Sequence, residues 1–477
     1  MKQTTKAVLE TARKSHKASK MDVRGHIVGV EAKVPLLDGR LVTYVNFDNA
    51  ASTPALREVL QTINDFMPLY SSVHRGTGFK SIVSTEAYEK ARQIVADFFS
   101  ANARDHIVIF GKNSTEALNK LSYRLELKKD DVVLVSWLEH HSNDLPWRRQ
   151  ATVKRIKTDR YGRLDEKHFD ELLLKYKGRV KLAAVTGGSN VTGHMPDIHS
   201  LAQKAHAHGA QILIDCAQLA PHRRINVKSL NDAEHLDYIV ISAHKMYAPF
   251  GTGALIGRRD TFEHGAPELC GGGTIDLVTT NRVEWADLPD RDEAGSPNVV
   301  GAIALAASLR FLSQAGMHNI AQHEAELTAY ALEQLSQIEQ IEVFGDSNPQ
   351  NAGERLGVIP VKIKAMKHSL VSAILGAEWG IGVRSGCFCA HPYVTRLLNL
   401  NREEVNKFGD DVLHGDKSSM PGLVRISFGM YNTREEIDYL AEALRKIAAG
   451  DYKGNYKQDT KTGDFQTTGW HPNVSLF

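Results

Sequence analysis

Residues 384–392 read RSGCFCAHP and place two of the chain's four cysteines one residue apart, between an Arg-Ser-Gly turn and a His-Pro. C-x-C spacing is too short for an ordinary intrachain disulfide. It offers only half of a zinc site, and no second cysteine pair completes it. On this segment alone a metal clip, two inert small side chains and a reactive thiol all stay open. Arg384 favours the last, because a nearby cation stabilises the thiolate.

Four other segments carry residue types suited to chemistry. In DYIVISAHKMYAPFGTGALIG (237–257) Lys245 follows an apolar run, with Ser242 and His244 just before it and a glycine-bearing loop after it. Most lysines are solvated surface charges. An amine held against an apolar sheet edge loses hydration, its pKa falls, and it becomes a competent Schiff-base amine. In QILIDCAQLAPH (211–222) Asp215 ends a run and Gln218 lies one turn on. A carboxylate there either caps a helix or meets a cation, and a pyridinium nitrogen is one such cation. GKNSTEALNKL (111–121) has Asn113 and Glu116 at capping-box spacing, which sets Ser114 and Thr115 in a helix's first turn, where free N–H groups and hydroxyls suit a phosphate. Most capping boxes bind nothing. In EHHSN (139–143) a histidine at a strand end is more often structural than catalytic, but His141 could stack on a flat cofactor ring.

These residues need elements to position them. Over 41–257 the runs HIVIF, VVLV, LAAVT, QILID, DYIVIS and GALIG alternate with helical patterns, among them 113–127 and 197–209. Short unbroken β-branched runs suit strands buried on both faces of a parallel sheet. The alternation predicts a doubly wound α/β domain with right-handed crossovers, whose ligand sits beyond the C-terminal ends of the strands. After EAGSPN (293–298) come a long helical stretch to about 341, the apolar segment LGVIPVKI (356–363) and a final helix over 433–449, which predict a smaller α+β domain. The expected division is an N-terminal segment at 1–40 packing on the small domain, a large domain at 41–305, a small domain at 306–449 and a C-terminal arm at 450–477. Residues 401–420 read as an exposed insertion.

Lys plus Arg number 58 against 56 for Asp plus Glu, a net charge of +2, which marks neither a nucleic-acid nor a membrane-surface protein. There is no run of about 18 apolar residues of the kind that spans a bilayer. Four cysteines in 477 residues make no disulfide framework, and a reducing cytoplasm is the expected location. The basic start, with Lys2, Lys6, Arg13, Lys14, Lys17 and Lys20, lacks the apolar core of a secretory signal.

In order along the chain, DNAAST (48–53), SVHRGTG (72–78), NSTEALN, EHHSN, SNVTG (189–193), IDCAQ, SAHK, GGGTID (271–276), EAGSPN, VRSGCFCAHP and VRISFGMYNTREE (424–436) resemble the signatures of the class V aminotransferase-like enzymes of pyridoxal 5'-phosphate (PLP), specifically the cysteine desulfurase and selenocysteine lyase group. The resemblance runs over 46–449 and implies PLP-dependent fold type I. It implies that Lys245 holds PLP and moves protons at the substrate α-carbon, that Asp215 pairs with the pyridine nitrogen, that Gln218 bonds the phenolic oxygen and that His141 stacks on the ring. Ser114, Thr115, Ser242 and His244 would bind the phosphate, with Thr274 supplied by the partner chain of a homodimer. Arg425 would take the substrate carboxylate, with Asn190 and Arg384 nearby.

Cys389 falls at the position of the sulfur-accepting cysteine of group II desulfurases, whose motif is usually Arg-Thr-Gly-x-x-Cys-Ala. It would attack the sulfur of cysteine, leaving a persulfide and alanine, and a sulfur-acceptor protein would then take the sulfur. No metal site is expected. Two features depart from the pattern: Cys387, in a form that also resembles the desulfurase domain of molybdenum cofactor sulfurases, and the additions at 401–420 and after 450. A C–S lyase, selenocysteine lyase or epimerase of the same fold, not needing Cys389, is the alternative.

Overall fold

A computed structural model describes residues 22–74 and 76–469. The early lysines and the end of the expected arm lie outside the described residues, as does Arg75 of SVHRGTG.

Seven strands make the large sheet: β1 (His106–Gly111), β2 (Val132–Ser136), β3 (Thr152–Ile156), β4 (Val180–Thr186), β5 (Gln211–Asp215), β6 (Tyr238–Ser242) and β7 (Gly253–Arg258). Their order across the sheet is β1-β7-β6-β5-β4-β2-β3, all parallel except β7. β2, β5 and β6 are buried almost throughout, as expected for strands covered by helices on both faces. β3, with sequence TVKRI, was not among the expected strands. It is an edge strand, only half-buried along most of its length, so it tolerates the Lys154 and Arg155 that hide its apolar pattern. Helix α1 (Ser114–Arg124) follows β1 and begins where predicted: the Asn113 side chain accepts from the Glu116 amide at 3.0 Å. The helical stretch after EAGSPN divides at Gly316 into Val299–Ala315 and Met317–Ser336.

A second, four-stranded sheet, of order β8 (Ile341–Val343), β9 (Val358–Ile363), β11 (Leu423–Ser427) and β10 (Arg384–Gly386), packs its own core with the helices Met317–Ser336, His368–Trp379 and Arg434–Ala448. Residues 33–43 form a hairpin that meets this region: the Leu37 amide donates to Ala377 O at 2.7 Å. Ile27 and Leu56, by contrast, join the large core. The segment 450–469 lies across the same helix, with the Lys453 amide on Glu378 at 2.9 Å and Ser369 Oγ on Gly463 O at 3.1 Å. The 401–420 stretch carries a helix, Arg402–Leu413, none of whose residues is buried. Its far end is tied to the arm by Lys417 N–H to Thr460 O at 2.7 Å.

Candidate active site

The C-terminal ends of β2, β4, β5 and β6 open on a cavity of about 360 Å³. Lys245 sits in the short turn Ala243–Lys245 just past β6. It is half-buried, and its accessible surface faces this cavity. Loss of hydration lowers its pKa to about 8, opposed by the Asp215 carboxylate and reinforced by Arg425. Among the described residues no acceptor lies within hydrogen-bond reach of its amine.

Asp215 ends β5 and is buried; Oδ1 accepts from the Ala217 amide at 3.0 Å, and no protein donor among the described residues reaches Oδ2. Burial raises its pKa. A buried carboxylate with one open oxygen on a cavity calls for a cationic or N–H partner. Gln218 also lines the cavity, its Nε2 donating to Ala50 O at 2.6 Å.

Opposite, the start of α1 forms an anion cradle. Ser242 Oγ accepts from the Ser114 amide and donates to Ser114 Oγ, both at 2.9 Å, and Thr115 Oγ1 meets Ser142 Oγ at 2.7 Å. His244 completes this wall. β7 presses directly beneath: a Cβ on Gly253 would lie 2.6 Å from Asn113 Cα, so only glycine lets the strand approach the cradle.

The histidines differ from expectation by one residue. His140, not His141, lines the cavity. The turn His141–Asn143 begins by spending the His141 amide on Cys389 O at 2.8 Å, and the His141 ring stacks on His391 with centroids 4.8 Å apart. His140 Nδ1 accepts from the Ser142 amide at 3.1 Å, and burial lowers its pKa to about 3, so it is neutral. Consecutive histidines in a turn have no periodicity that would assign their directions, which is why the sequence could not separate them. Glu139 fixes the turn from behind: it accepts from Asn143 Nδ2 at 2.6 Å and the Thr186 amide at 3.0 Å, and burial raises it to about 8.

Arg425, on β11, is almost fully buried. It donates to Asp48 Oδ1 and Asn190 O at 3.0 Å each, while Nε stays unpartnered. Asp48, from DNAAST, was missed as a site residue; its other oxygen pairs with Arg384 at 2.9 Å, so one carboxylate orients both arginines. Asn190 lines the cavity but spends its Nδ2 on Phe388 O at 2.7 Å.

Cys389 is exposed and lines the cavity, whereas Cys387 is buried, donates to Pro421 O at 3.0 Å and is pushed up to about 12 by burial. Phe388 and Cys389 both adopt left-handed backbone, φ 53° and 55°. Such conformations cost non-glycine residues energy and persist only where neighbours enforce them. Asn190 holds the Phe388 carbonyl, His141 holds that of Cys389, and the Arg425 guanidinium lies 4.9 Å from the Phe388 ring centre. Thr274 lies outside its own chain's cavity, buried in a turn where Oγ1 donates to Gly271 O at 2.8 Å. Among the described residues the one metal-type cluster, His206, His235 and Asp237, joins residues before the N-terminal ends of β5 and β6, away from the cavity.

A lysine with no protein acceptor, a buried acid with an open oxygen and an anion cradle together fit PLP: an amine for its aldehyde, a carboxylate for its ring nitrogen and donors for its phosphate. Fold and site define the class, the PLP-dependent enzymes of fold type I. The model of the family Aminotransferase class-V matches residues 45–440, and the chain belongs to that family. It is 33% identical over 409 residues to a cysteine desulfurase of Haloferax volcanii, covering 84% of this chain and 88% of the relative. It is also 33% identical over 411 residues to a probable cysteine desulfurase of Halalkalibacterium halodurans, covering 84% and 92%. Among solved structures, the apo cysteine desulfurase of Thermococcus onnurineus NA1 superposes with TM-score 0.75 at 31% identity, over 85% of this chain and 95% of that one. The cysteine desulfurase CsdA of Escherichia coli gives 0.73 at 25% identity, over 90% and 98%.

Proposed function

We propose that this protein is a PLP-dependent cysteine desulfurase that transfers the sulfur of L-cysteine to Cys389 as a persulfide and releases L-alanine. The observation that supports it most directly is that an exposed cysteine shares one cavity with Lys245, Asp215 and Arg425. When bound, PLP supplies an electron sink for the pair released at the substrate α-carbon. Arg425, oriented by Asp48 and Asn190 O, takes the substrate carboxylate as a bidentate donor. Lys245 Nζ, its pKa lowered towards neutrality, accepts and returns the proton at the α-carbon. His140 stays neutral and lies on the cavity wall in the role first assigned to His141. The Cys389 thiolate attacks the substrate sulfur; a new S–S bond forms, and the pair of the broken C–S bond stays on carbon, which is protonated to give alanine.

A homodimer is supported by the hairpin Ile275–Val278 with Val283–Trp285, which follows Thr274 and leaves Leu277, Val278 and Val283 about half exposed. Thr274 itself departs from its expected role: it is fully buried in its own chain with Oγ1 on Gly271 O, so it presents no surface to a partner's phosphate cradle. Four free cysteines suit a reducing cytoplasm. The test is a panel of cysteine, selenocysteine, cysteine sulfinate and thioether conjugates, scored for alanine against pyruvate. Alanine with sulfide from cysteine is expected; pyruvate with ammonia would replace this reading with β-elimination.

A further inference from the structure

Beside the cavity the surface is strongly cationic, although the chain as a whole is nearly neutral at +2. β2 and β3 end in register, Ser136 against Ile156, so Lys157 and Arg160 leave the sheet at the same edge as the cavity. Helix α2 (Leu145–Gln150) follows the His140 turn and presents Arg148 there, while Arg149, whose carbonyl accepts from Lys129 Nζ, lies toward the opposite edge of the sheet. Helix α3 (His391–Leu397) follows Cys389 and is fixed over this edge by Tyr393 Oη donating to Gly162 O at 2.6 Å. Arg396 on α3 and Arg155 on β3 hold the Trp137 ring between them, their guanidinium carbons 5.0 and 5.1 Å from its centre.

Acidic compensation is thin. Asp144 pairs with both Arg148 and Arg155, and Asp159 is occupied by Arg163. Among the described residues no carboxylate lies within ion-pair distance of Lys157, Arg160 or Arg396. A like-charged cluster of this kind costs self-repulsion unless an anionic surface covers it, and it attracts acidic partners from solution. Leu145, half exposed, adds an apolar contact at the same place.

We propose that this shoulder, formed by Arg148, Arg155, Lys157, Arg160 and Arg396, is the docking surface for an acidic protein that carries the acceptor thiol. The proposal rests on the desulfurase reading. The acceptor thiolate attacks the outer sulfur of the Cys389 persulfide, the S–S bond breaks, and Cys389 leaves as thiolate while the sulfur departs as a persulfide on the acceptor. The electrons balance within the exchange, and the acceptor's thiol proton passes to solvent.

The probes are two fluorescent peptides, a cysteine flanked by glutamates and the same peptide with lysines in their place. Binding to the holoenzyme is read by anisotropy with the peptide thiol blocked, and transfer by alanine formation with the thiol free. The glutamate peptide should bind at least about tenfold more tightly at low salt, with the preference fading as salt rises. The double variant Arg396→Glu, Lys157→Glu should erase that preference while leaving alanine formation with dithiothreitol unchanged, and Arg396→Lys should retain it. Equal binding of the two peptides, or a preference that survives charge reversal, would overturn the proposal. Acidic-peptide binding that depends on these residues, in a protein forming no alanine with dithiothreitol, would instead sink the desulfurase reading and leave the surface standing.

Discussion

The amide of His141 donates to the carbonyl of Cys389 at 2.8 Å, and the His141 ring nitrogen Nε2 accepts from the amide of His391 at 3.2 Å. The turn that displays His140 therefore also holds both sides of the cysteine loop. His141→Ala should lower turnover by about tenfold to a hundredfold through misplacement of the thiol, while the visible spectrum of bound PLP stays unchanged. His140→Ala should cut turnover by about 10² or more and alter that spectrum. The opposite ranking of the two spectra would place His141 on the ring after all.

The two cysteines of RSGCFCAHP should separate chemically. Cys389→Ala should lower desulfuration by about 10³ or more, and Cys387→Ala should stay within about threefold. Under native conditions iodoacetamide, read by peptide mass mapping, should modify the exposed Cys389 and Cys270. It should spare Cys216 and Cys387, whose thiols are buried and raised in pKa.

Capture of PLP by the apoenzyme should quicken as pH rises through about 8, where Lys245 loses its proton. Only the neutral amine attacks an aldehyde. His140, lowered to about 3, adds no transition in the working range. A rate flat across pH 8, followed by absorbance, would place the amine's pKa elsewhere.

Stability at low pH should depend on Glu324. It is fully buried, meets His222 and Arg223 and accepts the Gly357 amide at 2.8 Å, and these partners hold it at about 2 against an ordinary 4.5. A depressed carboxylate contributes stability that is whole above the unfolded value, so this contribution should fade as pH falls from about 4.5 towards 2. Glu324→Gln should cost about 3 kcal/mol near neutral pH by leaving the Arg223 guanidinium without its carboxylate partner, read from the urea midpoint.

Six of the seven large-sheet strands were legible because burial on both faces leaves them apolar without interruption. β3 was not, because an edge strand has one flank free for charge. That Lys245 and Asp215 lie at the sheet edge lining the cavity also followed locally, since a polar residue at the end of a buried strand has only that edge to occupy, whereas Ser242 was picked out only by the family resemblance. Asp48 was missed because its meaning is relational: it becomes a site residue only by lying between Arg384 and Arg425, more than 300 positions away.

What the sequence determined by itself was therefore chemistry and class: which side chains can act, and the strand–helix order that brings them to one edge. Only the tertiary structure decided direction. It turned His140 rather than His141 into the cavity, buried Cys387 and exposed Cys389. It did so because two left-handed residues and the carbonyl clamps of Asn190 and His141 come from segments about 200 and 250 residues apart in sequence. Local propensity does not encode contacts of that range.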